Sequence, residues 1–173
     1  MRERLFLESV IREVESEYDY VLIDCPPNLY LMTQNALLAS DWYVIPAIPD
    51  HLSTIGLNIL TRKVNQIMTI VTSAAQLADS KYNKAAAALG GILFVKVRLG
   101  GTRITNVHDQ TMEKVRSDFG QSCFQTYTTE LIGYSEAAQV SLPVWNLSTP
   151  NAKKAANKGE YQQIASEFLR RFP

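Results

Sequence analysis

Apolar residues recur at helical spacing in several stretches of this chain. Near the start, Leu7, Val10, Ile11 and Val14 are three or four positions apart, with charged residues between them. We expect Ser53 to cap a long helix that runs to about Val71. The predicted helices cover residues 2–17, 29–39, 53–71, 105–119 and 158–172, with one or two helical turns at 135–140. In the last of them, Tyr161, Ile164, Ala165, Phe168 and Leu169 are predicted to form the buried face.

Short apolar runs bounded by proline, glycine or polar residues alternate with these helices. Gly100-Gly101 is predicted to be a turn, Asp79-Ser80 a break, and Pro46 the end of a strand. The predicted strands are 20–23, 42–45, 92–97, 123–127 and an edge strand at 143–147. Strands that alternate with helices imply crossover connections. The chain is therefore predicted to be α/β, with a mainly parallel sheet, helices on both faces and a single domain over residues 1–173.

The first predicted strand ends in an acid, Asp24, which two prolines follow at once. A buried parallel strand would deliver this carboxylate to the carboxyl edge of the sheet, where phosphate and magnesium are bound. Asp24 could hold hydrated magnesium directly or through water, and Pro26 and Pro27 would fix the loop after it. The alternative is an acid that only caps the next turn. No G-x-x-x-x-G-K-[ST] phosphate loop occurs anywhere in the sequence.

Composition narrows the possible functions only slightly. Lys+Arg and Asp+Glu both number 17, so any attraction to nucleic acid must come from a local patch. The two cysteines have no metal-binding spacing, and we expect both to be reduced thiols in a cytoplasmic protein. No apolar run approaches the ~20 residues needed to span a bilayer. No G-x-S-x-G motif supports a hydrolase.

The string YDYVLIDCPPNLYLMTQNALLASDWYVIP, residues 18–46, resembles the Walker B strand and following segment of ParA-type partition ATPases. The resemblance continues through Gly90–Phe94, the helix that ends at Gly120, Tyr134–Ala137 and Leu142–Val144. It implies a P-loop NTPase-like fold that lacks the N-terminal phosphate-loop strand. The Pro-Pro after the acid is more similar to ParA than to MinD.

The resemblance also implies roles for individual residues. Asp24 would be the Walker B acid that organises magnesium, and Cys25, Pro26, Pro27 and Asn28 would sense the state of the nucleotide. Two loops would lie near the adenine: Lys96, Val97 and Arg98 in the first, and Thr128, Thr129 and Glu130 in the second. The family's Pro-Arg in the second loop is replaced here by Thr129-Glu130, a departure that weakens the case for base contacts.

The missing phosphate loop is a larger departure from the family. In the family's sheet, the phosphate-loop strand lies between the Walker B strand and the next one. The chain could be the C-terminal piece of a longer protein, could receive the strand from another chain, or could close the gap by pairing its own strands. ATP and magnesium are implied by the resemblance, yet we expect this chain to bind neither, because the lysines and backbone cradle are absent.

ParA-like dimers bind DNA non-specifically through basic residues, partly C-terminal. Lys153, Lys154 and Lys158 are the candidates here, and Arg98 and Arg103 could join them; the alternative is a solvated helix face. Two functions are consistent with these features. One is a ParA-like positioning ATPase domain, inactive in isolation, with a ParB-like partner. The other is a nucleotide-free module that binds DNA or regulates a complete relative by pairing with it; a homodimer is possible, and a membrane contact is not expected.

Overall fold

The computed structural model describes residues 5–78 and 82–173, so the predicted break at Asp79-Ser80 and residues 2–4 of the first helix lie outside the described residues. The helices are α1 Phe6–Val14, α2 Leu31–Ala39, α3 His51–Ala78, α4 Asn106–Phe119, α5 Ile132–Gln139, α6 Pro150–Asn157 and α7 Glu160–Arg171. The strands are β1 Trp42–Ala47, β2 Ala88–Val97, β3 Leu99–Gly100, β4 Arg103–Ile104 and β5 Cys123–Thr129. Short 3₁₀ turns occupy Glu15–Glu17, Gly120–Ser122 and Val144–Asn146.

The predicted α/β class is confirmed by the main sheet, whose strand order is β1-β2-β5. β2 and β5 pair in parallel, with Ile92 opposite Cys123 and Val97 opposite Thr129. α4 connects these two strands, as a parallel crossover requires. The predicted turn lies between β3 and β4, which pair antiparallel, and Gly101 adopts φ +75° there. Glycine takes this left-handed conformation without the steric cost that a Cβ would bring.

The predicted first strand at 20–23 is wrong: this run is irregular, and Leu22 is 79% exposed. A strand is stable only beside a hydrogen-bonded neighbour, and neither sheet in the described part of the chain includes this run. The predicted edge strand at 143–147 is also wrong. Pro143 has no N–H to donate, and Val144 is buried in a 3₁₀ turn against Ala137, Ala152 and Ala155.

Three smaller predictions are corrected as well. Asp50, and not Ser53, caps α3, because its Oδ1 accepts a 2.7 Å hydrogen bond from the Ser53 amide. Pro46 lies within β1 and does not end it. The buried face of α7 carries Glu160 and Glu167, whereas Tyr161 and Leu169 are largely exposed.

The chain divides into two compact units. The first comprises Met1–Tyr43 and Gly56–Gly90. Its core is formed by apolar side chains of α2 and α3, by Leu5 just before α1 and by two residues after α3. The α1 amide of Leu7 donates to Asn35 Oδ1 of α2 at 3.3 Å. The buried residues of this core are Leu5, Leu37, Leu38, Val64, Met68, Val71, Ala75, Tyr82 and Ala87.

The second unit comprises Val44–Ile55 and Gly91–Pro173. Phe94 of β2 and Phe124 of β5 are fully buried, and the Arg116 and Arg171 guanidinium groups lie over their rings at 5.7 and 4.4 Å. A smaller apolar cluster joins α5 to α6. In the described ranges, no helix combines the length and apolar character needed to cross a membrane.

Candidate functional site

Asp24 and the four residues after it lie in the first unit, on an exposed irregular segment. Asn28 fixes this segment at the start of α2: its amide donates to the Pro26 carbonyl at 2.7 Å, and its Oδ1 accepts from the Tyr30 amide at 3.1 Å. Asn28 thus closes a turn just before α2, and α2 itself begins at Leu31 without a side-chain cap. Partial burial, together with the Asp24 charge, raises the pKa of the Cys25 thiol, which favours its neutral form.

This geometry does not fit a magnesium–nucleotide site built from this segment alone. Magnesium between phosphates needs oxygen ligands held in octahedral geometry and a cradle of N–H groups for the phosphates. The segment offers one exposed carboxylate, and among the described residues no three His, Cys, Asp or Glu side chains cluster as metal ligands. The nucleotide-state role of Cys25, Pro26, Pro27 and Asn28 remains a prediction.

The two predicted adenine-proximal loops lie together in the second unit, at the carboxyl ends of β2 and β5. The Lys96 amide donates to Thr128 Oγ1 at 3.2 Å, and the Glu130 amide donates to the Val97 carbonyl at 2.9 Å. The Arg98 guanidinium pairs with the Glu130 carboxylate at 2.8 Å. Lys96 has φ +54°, a left-handed conformation that is strained for a residue with a Cβ, and the strand pairing shifts register there.

A buried carboxylate that the sequence interpretation missed lies beside this loop pair. Glu160 is 8% exposed and accepts hydrogen bonds from the Thr129 amide at 2.8 Å, the Thr129 hydroxyl at 2.6 Å and the Tyr134 hydroxyl at 2.9 Å. The Lys158 ammonium lies 3.5 Å from Glu160 and 3.0 Å from the Thr129 hydroxyl. Lys158, a predicted DNA contact, is therefore partly buried and engaged by Glu160 and Thr129.

Burial and the Glu160 carboxylate together affect the pKa of Tyr134. Burial and the hydrogen bond to Glu160 raise the pKa of Tyr134 far above its ordinary value, so its hydroxyl stays a proton donor. The Thr129, Tyr134, Lys158 and Glu160 side chains thus form a closed polar network with satisfied partners.

A second buried glutamate, Glu167, forms hydrogen bonds with residues 125 and 126 of β5, where the pairing with β2 is also irregular. Its carboxylate accepts from the amides of Gln125 and Thr126 at 2.9 and 2.8 Å and pairs with Arg171 at 2.8 Å. Burial opposes ionisation, but these hydrogen bonds and that of the Thr126 hydroxyl outweigh it and lower the pKa of Glu167 to about 2. Glu160 and Glu167 are seven residues apart on α7, a spacing that places both on one helix face and could have been read from the sequence.

The β3–β4 hairpin presents Arg103 at its tip, opposite Gly100. The hairpin is closed by the Thr105 amide, which donates to the Arg98 carbonyl at 3.0 Å. The Arg98 amide in turn donates to Nδ1 of the buried His108 at 3.0 Å. Arg98, Arg103 and His108 line one open cleft of about 650 Å³.

Lys153 and Lys154 lie side by side on the exposed surface of α6. The helix is well defined at its start, where Pro150 follows the capping residue Thr149 and the Thr149 hydroxyl accepts from the Ala152 amide at 3.2 Å. Among the described residues, no carboxylate lies within ion-pair distance of either ammonium. These two charges are therefore available to a partner.

Comparison with known proteins identifies the relatives of this chain. The family model described as an AAA domain matches residues 1–77. The chromosome-partitioning ATPase Soj of Treponema pallidum is 28% identical over 167 residues, which are 96% of this chain and 58% of that protein. The sporulation initiation inhibitor protein Soj of Bacillus subtilis is 29% identical over 138 residues, 80% of this chain and 48% of that protein. The structure of Cyanothece apo McdA matches with a TM-score of 0.64 and 16% identity, over 94% of this chain and 59% of that one.

The chain has an α/β fold similar to that of McdA, and its sequence contains no phosphate loop. The family match and the Soj relatives support the resemblance to ParA-type partition ATPases, and the similarity extends over most of the chain. It spans about half to three fifths of the length of the curated relatives it matches.

Proposed function

We propose that this chain is a domain of a ParA-type positioning system that contacts DNA non-specifically and neither binds nor hydrolyses ATP by itself. The observation that carries the proposal is the position of Asp24 on an exposed irregular segment. The sequence also contains no phosphate loop. Phosphoryl transfer depends almost entirely on positioned charges around the phosphates. One unsupported carboxylate cannot provide them.

The DNA-binding part of the proposal is supported by the exposed cations of the second unit. Lys153 and Lys154 on α6 and Arg103 on the hairpin present charge to solvent. Phosphate contacts need such charge and carry no sequence information. Lys158 and Arg98 are weaker candidates, because Glu160 and Glu130 already neutralise them.

A titration with magnesium–ATP, followed by calorimetry, tests the nucleotide half of the proposal. We expect no saturable binding to the wild-type chain and no difference in Asp24→Ala. Saturable binding that is lost in Asp24→Ala would overturn this half, since it would mean that Asp24 takes part in a complete site.

DNA binding is tested by fluorescence anisotropy with a duplex of arbitrary sequence at two salt concentrations. The double variant Lys153→Gln/Lys154→Gln should weaken binding and reduce the salt dependence by about one unit of slope for each phosphate that the protein no longer neutralises. Arg62→Gln/Lys63→Gln on α3 removes the same charge from another exposed surface and is the matched control. An equally large effect in both variants would mean that only net charge matters and would contradict a DNA interface on α6.

A second candidate function is regulation of a complete relative by pairing with it. The observation that favours it is exposed apolar surface in the first unit: Phe6 and Val10 on α1, and Tyr20, Val21 and Leu22 on the irregular segment. Such surface is costly to leave in water and typical of an interaction site. Light scattering of the chain with and without a complete ParA-type protein tests this, with Leu22→Asp expected to abolish any complex; a ParB-like partner can be tested in the same way. In both candidate functions, the chain would act in the cytoplasm.

A further inference from the structure

We propose that His108 is a pH-sensitive latch for the β3–β4 hairpin, so that its protonation frees the hairpin and weakens the contact of Arg103 with DNA. The DNA consequence rests on the function proposed above, whereas the latch itself rests on the geometry of the second unit. His108 belongs to none of the sites that the sequence indicated.

The latch is one hydrogen bond with an unambiguous direction. The Arg98 amide is a donor only, so Nδ1 of His108, 3.0 Å away, accepts with its lone pair. The imidazole is 7% exposed, which leaves the Arg98 amide little access to water as a substitute partner. Arg98 also takes part in the next hydrogen bond of the hairpin, because its carbonyl accepts from the Thr105 amide. Arg98 is therefore the point where the hairpin is fastened to α4.

Protonation removes this acceptor. A proton from solvent binds to the Nδ1 lone pair, and both ring nitrogens are then donors. The Nδ1 proton would face the proton of the Arg98 amide, an arrangement that is repulsive and leaves a buried donor unsatisfied. The hairpin must then move away or the imidazolium must turn, and either change releases Arg98.

Several charged groups surround His108. Asp50, in the turn before α3, interacts electrostatically with His108: the pKa of Asp50 is lowered chiefly by the Ser53 amide and further by His108. Arg98 and Arg103 line the same cleft, and Arg98 is neutralised by Glu130. His51 and Lys114 line the neighbouring cleft beside Val107. Asp50 is thus a negative group that would interact favourably with a protonated His108.

The direction in which DNA affinity changes with pH distinguishes this latch from ordinary electrostatic attraction. Acidification adds positive charge to histidines, and added positive charge strengthens non-specific DNA binding. The latch predicts the opposite, because Arg103 loses its fixed position when the hairpin opens. The sequence has two histidines, and histidine is the residue type whose ordinary charge change falls in the range pH 5–8, so His51 is the residue to control for.

The decisive variant is His108→Asn, whose side-chain oxygen can accept from the Arg98 amide but cannot be protonated at these pH values. His51→Asn, at an exposed position, is the matched control. Two quantities are measured at pH 7.5 and 5.5: the anisotropy of a labelled duplex at fixed salt, and the hydrogen-exchange protection of the Arg98 amide after correction for the intrinsic rate. Wild type and His51→Asn should lose about five-fold in Arg98 protection at pH 5.5, the effect of one hydrogen bond. Both should also bind the duplex more weakly at that pH. His108→Asn should lose neither.

Unchanged hydrogen-exchange protection of the Arg98 amide in the wild-type protein at pH 5.5 would overturn the latch. This measurement needs no variant, so it tests the latch even if His108→Asn folds poorly. A stronger DNA affinity of wild type at pH 5.5 would overturn the link to Arg103. If the chain binds no DNA at either pH, the proposed function fails, and the amide protection alone then decides the latch.

Discussion

Glu167 and Thr126 are joined by two hydrogen bonds to one carboxylate oxygen: Oε2 accepts from the Thr126 amide at 2.8 Å and from its hydroxyl at 2.7 Å. The pairing with β2 is irregular along this part of β5. A side chain from the last helix therefore satisfies backbone groups that the sheet leaves unpaired. Such an arrangement makes the stability of the strand depend on the charge of one residue.

The first prediction concerns acid stability. The pKa of Glu167 is about 2 in the folded protein and near 4.5 in its ordinary state. The ionised form therefore stabilises the fold fully above about pH 5, and this contribution is lost as the pH falls toward 2. Urea unfolding between pH 7 and 3 should show a loss in the wild type that is smaller in Glu167→Gln. At pH 7 we expect Glu167→Gln to cost about 2 kcal/mol of unfolding free energy.

Glu113→Gln on the exposed side of α4 is the control for this prediction, and it should change the free energy of unfolding by less than about 0.5 kcal/mol. A Glu167→Gln protein with the same pH profile as the wild type would contradict the role given to this carboxylate.

The second prediction concerns the network around Glu160. Glu160→Ala removes the acceptor of the Thr129 amide and the Tyr134 hydroxyl and leaves the Lys158 ammonium without its carboxylate. We expect it to cost about 3 kcal/mol, the usual cost of breaking a buried pair. Lys158→Met should cost about 1 kcal/mol or less, because Lys158 keeps more contact with water. Thermal and urea unfolding of both variants would measure the difference, and equal costs would show that the pair acts only through its mutual attraction.

A third prediction compares two glycines. A Cβ on Gly133 of α5 would clash with the Asn151 carbonyl oxygen, whereas a Cβ on Gly56 of α3 meets nothing within 4 Å. Gly133→Ala must push α6 away from α5 and should cost about 2 kcal/mol. Gly56→Ala, in an exposed helical position, should stabilise the protein by about 0.5–1 kcal/mol, because alanine favours the helix. Opposite shifts in melting temperature are expected, and shifts of the same sign would contradict the packing of α5 on α6.

The fourth prediction concerns the strained residue in β2. Lys96 has φ +54°, which costs a residue with a Cβ about 1 kcal/mol relative to glycine. Lys96→Gly should therefore stabilise the fold by about 0.5 kcal/mol, while Thr128→Val, which removes the acceptor of the Lys96 amide, should destabilise it by about 1 kcal/mol. Urea unfolding of the two variants measures both effects. A destabilised Lys96→Gly would mean that the lysine side chain contributes more than the strain costs.

The elements with strong local signals can be predicted from the sequence. Helical spacing and Gly120 predict the bounds of α4 within one residue, and the apolar run after Gly90-Gly91 predicts most of β2. The string at residues 18–46 is specific enough to indicate the family by itself. The two loops at 96–98 and 128–130 do lie together, because the ends of neighbouring parallel strands lie at one edge of a sheet.

The failures have a common physical cause. Tyr20–Ile23 has the composition of a buried strand, yet a strand needs a partner, and composition does not say whether one is present. The apolar residues of α7 are predicted to form its buried face, whereas the structure buries Glu160 and Glu167. A buried carboxylate is stable only where donors converge on it, and most of the donors here are amides and hydroxyls of β5 that lie more than thirty residues earlier. The sequence thus determined the resemblance to the family and the elements with strong local signals. The tertiary structure alone decided which polar groups meet, because hydrogen-bond partners distant along the chain are fixed only when the elements pack.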